Sequence, residues 1–145
     1  MASPETTSAA RRLAIYIVRG SRVDGDLRTL GQWAHLLGVS YNSLRGCCMV
    51  AGARPRDARD FTRALGAVRR LRQTSRAASL GSFLDVADPR TLAAFLQRAG
   101  LRPTGNSSRA LLDQFLEGQA LLRPESETVR VLRSLLSDDL ARCET

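Results

Sequence analysis

The stretch LGQWAHLLGVSYNSLRGCCMVAGARP, Leu30 to Pro55, decides how this chain is read. Thr29 stands just before it, a side chain suited to cap a helix from Leu30 to Leu37. Gly38 is suited to the left-handed position that ends such a helix. Ser40 then caps a second helix, which turns Leu44 and Cys47 inward at i, i+3 spacing and stops at Gly52. Ala34, four residues before Gly38, is small enough to let the two helices approach. Trp33 and Leu37 supply the inner face of the first, and Val39 plugs the turn. Helix, glycine-pivoted turn and helix form the helix-turn-helix layout. An ordinary helical hairpin requires neither a small residue at Ala34 nor a Gly-Val turn.

In such a unit the second helix enters the major groove N-terminal end first. Ser40, Tyr41, Asn42, Ser43 and Arg45 are left facing outward on it. Arg binds guanine bidentately, Asn binds adenine, and Tyr or Ser holds a phosphate. Arg54, Arg56 and Arg59, at and after the next helix start, are placed to reach the phosphate backbone, with Arg28 as a further candidate. The plain alternative for each is a solvated helix face.

The pattern is written twice. Fifty residues on, LGSFLDVADPRTLAAFLQRAGLRP, Leu80 to Pro103, again opens with Leu-Gly and an aromatic two residues later. Each copy has a Leu eight residues before an Ala-Gly pair's glycine, then Arg-Pro.

Outward from these copies, almost every periodic segment predicts a helix. Ser8 is expected to cap one carrying Leu13, Ile15, Tyr16 and Ile17, with residues 1–7 disordered ahead of it. Pro55 opens a long helix whose inner face is Ala58, Phe61, Leu65, Val68 and Leu71, with Arg56, Arg59, Arg63, Arg69, Arg70 and Arg72 on the other. Asp88-Pro89 begins a helix that buries Leu92, Phe95 and Leu96 and stops at Gly100. Ser107 or Ser108 begins another with Leu111, Leu112, Phe115 and Leu116 on one face. Pro124 opens the last. Its stripe of Val129, Leu132, Leu136 and Leu140 either closes the core or pairs with a second copy in a homodimer. The fold class is all-α, a helical bundle. Its expected parts are a DNA-binding unit with connecting helix over 8–79, a second, degenerate unit over 80–105 and a helical extension over 106–145.

Composition narrows the function. All 22 basic residues are arginines. Residues 1–79 hold 14 Arg against 5 acids, and residues 80–145 hold 8 against 9, so one half is suited to face a polyanion. Cys47 and Cys48 are adjacent and Cys143 is distant, which is neither a disulfide framework nor metal-ligand spacing. Arginines beside a helical thiol are able to lower its pKa, but no base stands by. His35 is the only histidine and has no partner at dyad spacing. The glycines are scattered as helix stops rather than gathered into a phosphate loop. No apolar run is long enough for a membrane span. The expectation is a cytoplasmic, nucleoid-associated protein of bacterial or phage-like type. It is no enzyme, with no cofactor, no metal and no evident small-molecule ligand.

The run IYIV…LGQWAHLLGVSYNSLRGCCMVAGARPRDARDFTRAL resembles the first half of the AraC/XylS-type DNA-binding domain of transcriptional regulators. Gly52-Ala53-Arg54-Pro55 stands where that family has its Gly-x-x-Pro element, and the arginine-rich helix after it stands where the connector belongs. The family carries two helix-turn-helix units, which accounts for the doubled pattern. By that resemblance Arg90, Thr91 and Ala94 of the second unit face an adjacent major groove. The second unit departs from the family in lacking a glycine matching Gly38. The usual sensor domain has no counterpart in this chain. The resemblance implies a sequence-specific regulator of duplex DNA. The rival readings are a protein-interaction module on the same scaffold and a non-specific architectural DNA binder.

Overall fold

The computed structural model describes residues 3–23, 25–73, 83–86, 88–101, 115–123 and 125–143, the side chains of 72–73 and 138–143 apart. Among these residues every regular element is a helix, so the chain is all-α.

Helix α1 spans Pro4–Ser21. The Thr6 amide donates to Ser3 Oγ at 3.2 Å, Pro4 takes the first helical position, and Glu5 lies in the first turn. The sequence Ser-Pro-Glu therefore starts the helix earlier than expected. Ser3, not Ser8, is the cap, and residues 4–7 are helical rather than a disordered lead. The apolar run Leu13–Val18 is the middle of α1. Leu13, Ala14, Ile17 and Val18 are buried, while Ile15 faces out. Later helices assemble around α1, which packs against α2 (Leu30–Leu37), α3 (Tyr41–Val50), α4 (Pro55–Gln73) and α6 (Glu127–Cys143).

Helix α2 starts from a capping box, with the Gln32 amide donating to Thr29 Oγ1 and the Thr29 amide to Gln32 Oε1. Its Trp33 is fully buried, and the ring Nε1 donates to the Tyr16 carbonyl at 3.1 Å, which fixes α2 to α1.

Helix α4 buries all five expected inner residues and adds Thr62, Ala64 and Ala67. Small side chains on two faces let it lie between neighbours rather than against one. Its arginines are not one solvated face. Arg63 donates to both carboxylate oxygens of Asp26 in the α1–α2 loop, at 2.7 and 2.8 Å. Arg70 donates to the carbonyls of Val23, Gly25 and Phe83. Arg69 reaches Ser21 Oγ. Half of the basic stripe is internal stapling.

Helix α5 (Pro89–Arg98) meets α4 through side chains. Phe83 lies at Arg70, Phe95 under the Arg63 guanidinium at 4.9 Å, and Arg98 at Asp57 and Asp60. Helix α5 thus docks on the first half of α4, beside the turn that ends α3. A helical turn at 115–118 adds Phe115, whose ring centroid lies 4.8 Å from that of Phe61. The expected start of that helix at Ser107 or Ser108, with Leu111 and Leu112, lies outside the described residues. Of the segment ahead of α5, residues 83–86 are described and form no α-helix to match α2.

Helix α6 begins at Glu127, three residues past Pro124, because Ser126 caps it by accepting from the Val129 amide at 3.3 Å. Val129, Leu132 and Leu136 are buried in the core that α6 completes along α1. That stripe is core, not a face for a second copy, since burying it within the chain already removes its apolar surface from water. The Leu140 side chain lies outside the described residues.

Candidate nucleic-acid interface

The turn between α2 and α3 is built by backbone hydrogen bonds. Gly38 adopts φ 72°, its amide donates to His35 O, and the Val39 amide reaches back to Ala34 O, each at 3.1 Å. Two otherwise unpaired carbonyls of α2 are satisfied in this way, and the chain is redirected within two residues. Ser40 then caps α3, accepting from the Ser43 amide at 3.0 Å, and its hydroxyl donates to Ser43 Oγ.

Leu44, Cys47 and Cys48 lock α3 inward, against α1 and α2. Cys47 Sγ donates to the Ala9 carbonyl at 3.4 Å. Burial pushes the Cys47 thiol up despite the nearby Arg12 guanidinium, and pushes Cys48 up to about 12, with Cys47 adding to the effect. The thiol-lowering effect expected of neighbouring arginines is therefore overruled by desolvation.

The outward face of α3 carries Ser40, Tyr41, Asn42, Ser43 and Arg45, all exposed as the spacing requires. It also carries Met49 and Val50, 61% and 50% exposed, to which the sequence motif assigns no role. Both follow from 3.6-residue periodicity, four residues beyond Arg45 and Gly46.

The arginines assigned to phosphates divide. Arg54 and Arg56 are exposed. Arg28 is exposed and ion-paired with Asp85 at 3.3 Å. Arg59 is half-buried and ion-paired with Asp60 at 3.0 Å. Arg56 and Arg59 meet Arg90, Thr91 and Ala94 of α5 in one cleft of about 380 Å³ between α4 and α5, joined there by Arg63 and Arg98. Five guanidiniums line it against one carboxylate, Asp60, which is 2% exposed and contacts Arg59, Arg63 and Arg98. Arg56 and Arg90 are the exposed members outside that network. At Arg63 burial alone would lower the pKa, but hydrogen-bonded Asp26, with Asp60 and Asp85, outweighs it and raises it. With five guanidiniums against one carboxylate, the cleft is positive.

Helix α1 contributes a surface that the motif does not include. Arg11, Ile15 and Arg19 are exposed at four-residue spacing, and Arg12 lies close enough to α3 to act on Cys47. The sequence signal for it is the alternation of these positions with buried Leu13 and Ile17.

Helix α5 repeats α3 in its local geometry. Asp88 caps α5 by accepting from the Arg90 amide at 3.1 Å, two residues on, where Ser40 caps α3 through the amide three residues on. Ser40 aligns with Asp88, Cys47 and Cys48 with Phe95 and Leu96, and Gly52 with Gly100, an offset of 48 positions throughout. Gly52 and Gly100 have φ 82° and 70°, and in both the following amide reaches back into the helix, Ala53 to Cys48 O and Leu101 to Leu96 O. The doubled pattern is thus a doubled helix with matching ends.

Among the described residues no group of three or more His, Cys, Asp and Glu is placed to hold a metal ion, and no helix is long and apolar enough to cross a membrane. No protein-family model, curated protein or solved structure matches this chain.

Proposed function

We propose that this chain is a sequence-specific regulator of duplex DNA in the manner of a helix-turn-helix protein, with α3 entering the major groove. One observation carries the reading: α3 is held from behind by Leu44, Cys47 and Cys48, while Tyr41, Asn42 and Arg45 stand free at its N-terminal half. Those are the residue types that read base edges and hold phosphates, at the end of the helix that such proteins insert first. The arginine cleft supports it, since Arg56 and Arg90 offer unbalanced positive charge suited to a sugar–phosphate strand. The matching ends of α3 and α5 support the AraC/XylS-like duplication of the unit. In this reading the chain has no catalytic role.

The protein-interaction reading is favoured by a different observation. Met49 and Val50 are adjacent exposed apolar residues on α3, and contiguous exposed apolar surface marks protein contacts.

The deciding experiment presents the full chain with a random-sequence duplex pool at several salt concentrations and sequences what is bound. Enrichment of one site, with affinity that falls steeply as salt rises, is the expected result. Binding without enrichment would leave an architectural role. Absence of binding at low salt would end the DNA reading and turn attention to the Met49–Val50 surface.

A further inference from the structure

The arginine cleft between α4 and α5 is more than a charged rim. Arg63 lines it from below, with its side chain 10% exposed and its guanidinium over the Phe95 ring. Nε and Nη2 of that guanidinium are taken by Asp26. Nη1 stands 3.7 Å from Asp60 Oδ1, beyond hydrogen-bond distance, and donates to nothing else among the described residues. Nor is it sealed from solvent. A guanidinium nine-tenths buried therefore keeps two N–H donors unused at the side where Asp60 and Phe95 line the cleft.

The surroundings favour an anion at that point. Asp60, the one carboxylate on the wall, is 2% exposed, and its oxygens already face Arg59 at 3.0 Å and Arg98 at 3.3 Å. Once Asp60, Asp26 and Asp57 are matched to Arg59, Arg63 and Arg98, the surplus charge is Arg56 on α4 and Arg90 on α5. Val86 and the Ala94 methyl give a short apolar wall beside these groups. At about 380 Å³ the cleft has the size of a small-ligand site.

Such a recess selects a compact, multiply charged group. A duplex presents singly charged phosphodiesters on a broad, stiff surface, which suits Arg56 and Arg90 but does not descend to Arg63. A terminal phosphate is small enough to descend and carries about two charges at neutral pH. Its several oxygens can accept from more than one guanidinium at once.

We infer that the α4–α5 cleft binds a small phosphorylated ligand, its terminal phosphate or diphosphate held by Arg63 Nη1, Arg56 and Arg90 and its body against Val86 and Ala94. The site stands on the recessed donor, whether or not α3 reads DNA. One consequence does rest on the DNA reading: a strand would use the same Arg56 and Arg90, so ligand and duplex exclude each other.

The test titrates inorganic pyrophosphate calorimetrically into the full chain, at constant ionic strength made up with chloride. The variants are Arg90→Gln, Ala94→Leu and the control Arg133→Gln, all at exposed positions. Ala94→Leu fills the cleft without changing its charge, which separates binding inside from binding at the rim. The expected result is saturable binding to wild type and the control, weaker by about tenfold or more in both Arg90→Gln and Ala94→Leu. Loss in Arg90→Gln with full affinity in Ala94→Leu would place the anion at the rim and overturn the inference. So would equal affinities in all four proteins, or no binding to wild type. In a second arm, read by anisotropy, pyrophosphate should release duplex from wild type; simultaneous binding of both would overturn the exclusion. A chain that binds pyrophosphate but no duplex keeps this site and loses the DNA reading.

Discussion

Arg63 on α4 grips Asp26 in the α1–α2 loop through two parallel hydrogen bonds, Nε to Oδ1 at 2.7 Å and Nη2 to Oδ2 at 2.8 Å. Both side chains are nearly buried, at 10% and 3% exposure. Asp26 Oδ2 also accepts from the Asp85 amide at 2.7 Å, so one carboxylate ties α4, the loop before α2 and the segment before α5. Asp26→Ala is expected to destabilise the fold by about 3–5 kcal/mol, because it leaves a buried guanidinium uncompensated. Urea unfolding measures this. The double variant Asp26→Ala/Arg63→Ala should cost clearly less than the two single losses together; simple additivity would contradict the pairing.

Two glycines at helix ends should respond differently to the same change. Gly38 has φ 72° and open space where a methyl would go, so Gly38→Ala costs only the left-handed conformation, about 1 kcal/mol. Gly100 has φ 70°, and a methyl there would stand 2.5 Å from the Gly118 carbonyl oxygen. Since backbone occupies that space, Gly100→Ala is expected to cost more than Gly38→Ala. Equal thermal shifts for the two would refute the close approach of residues 100 and 118.

Alkaline stability should depend on Cys48. Its thiol is raised from 9.0 to about 12 by burial, so the folded chain holds the proton more tightly than the unfolded one. The resulting stability is complete below about pH 9 and is lost as pH rises toward 12, by at most about 1.4 kcal/mol per pH unit. Cys48→Ala should flatten the unfolding free energy over that window. Cys47, raised in the same direction, leaves a smaller residual slope.

Under the DNA reading, Arg45 and Arg56 should fail in different ways. Arg45→Ala is expected to relax preference at one base pair by about 1–3 kcal/mol, while Arg56→Ala weakens all sequences alike and lowers the salt slope by about 1. Anisotropy against matched duplexes separates them. If neither substitution changes binding, α3 and the arginine cleft are not the DNA surface.

Much of this architecture is legible where local chemistry fixes it. Thr29, Gly38, Ser40, Gly52, Asp88 and Gly100 do in the structure what their side chains, or lack of one, suit them for. The inner face of α4 follows from periodicity alone. The exceptions have a common cause. Arg63, Arg69 and Arg70 read as a solvated face because a helix pattern states which side faces away from one partner. It does not state whether a second partner arrives there. The α1–α2 loop and the segment 83–86 do arrive, and the arginines become internal. The stripe of α6 is ambiguous in sequence for the same reason: amphipathicity cannot say whether the apolar partner is α1 or another chain. The arginine cleft joins Arg56 to Arg90 through tertiary docking of α5, which no spacing in the sequence encodes.

The matched ends of α3 and α5 make the two segments exchangeable cassettes as far as the main chain is concerned. Ser40 to Gly52 and Asp88 to Gly100 enter from an extended cap and leave through a left-handed glycine over the same span. A graft of one onto the other would keep its length, entry and exit. It would not keep its socket. The thiols of Cys47 and Cys48 fill the space that Phe95 and Leu96 fill in the other copy, so the transplanted helix would arrive with plugs of the wrong volume. The two copies share a frame and have each been fitted to a different seat.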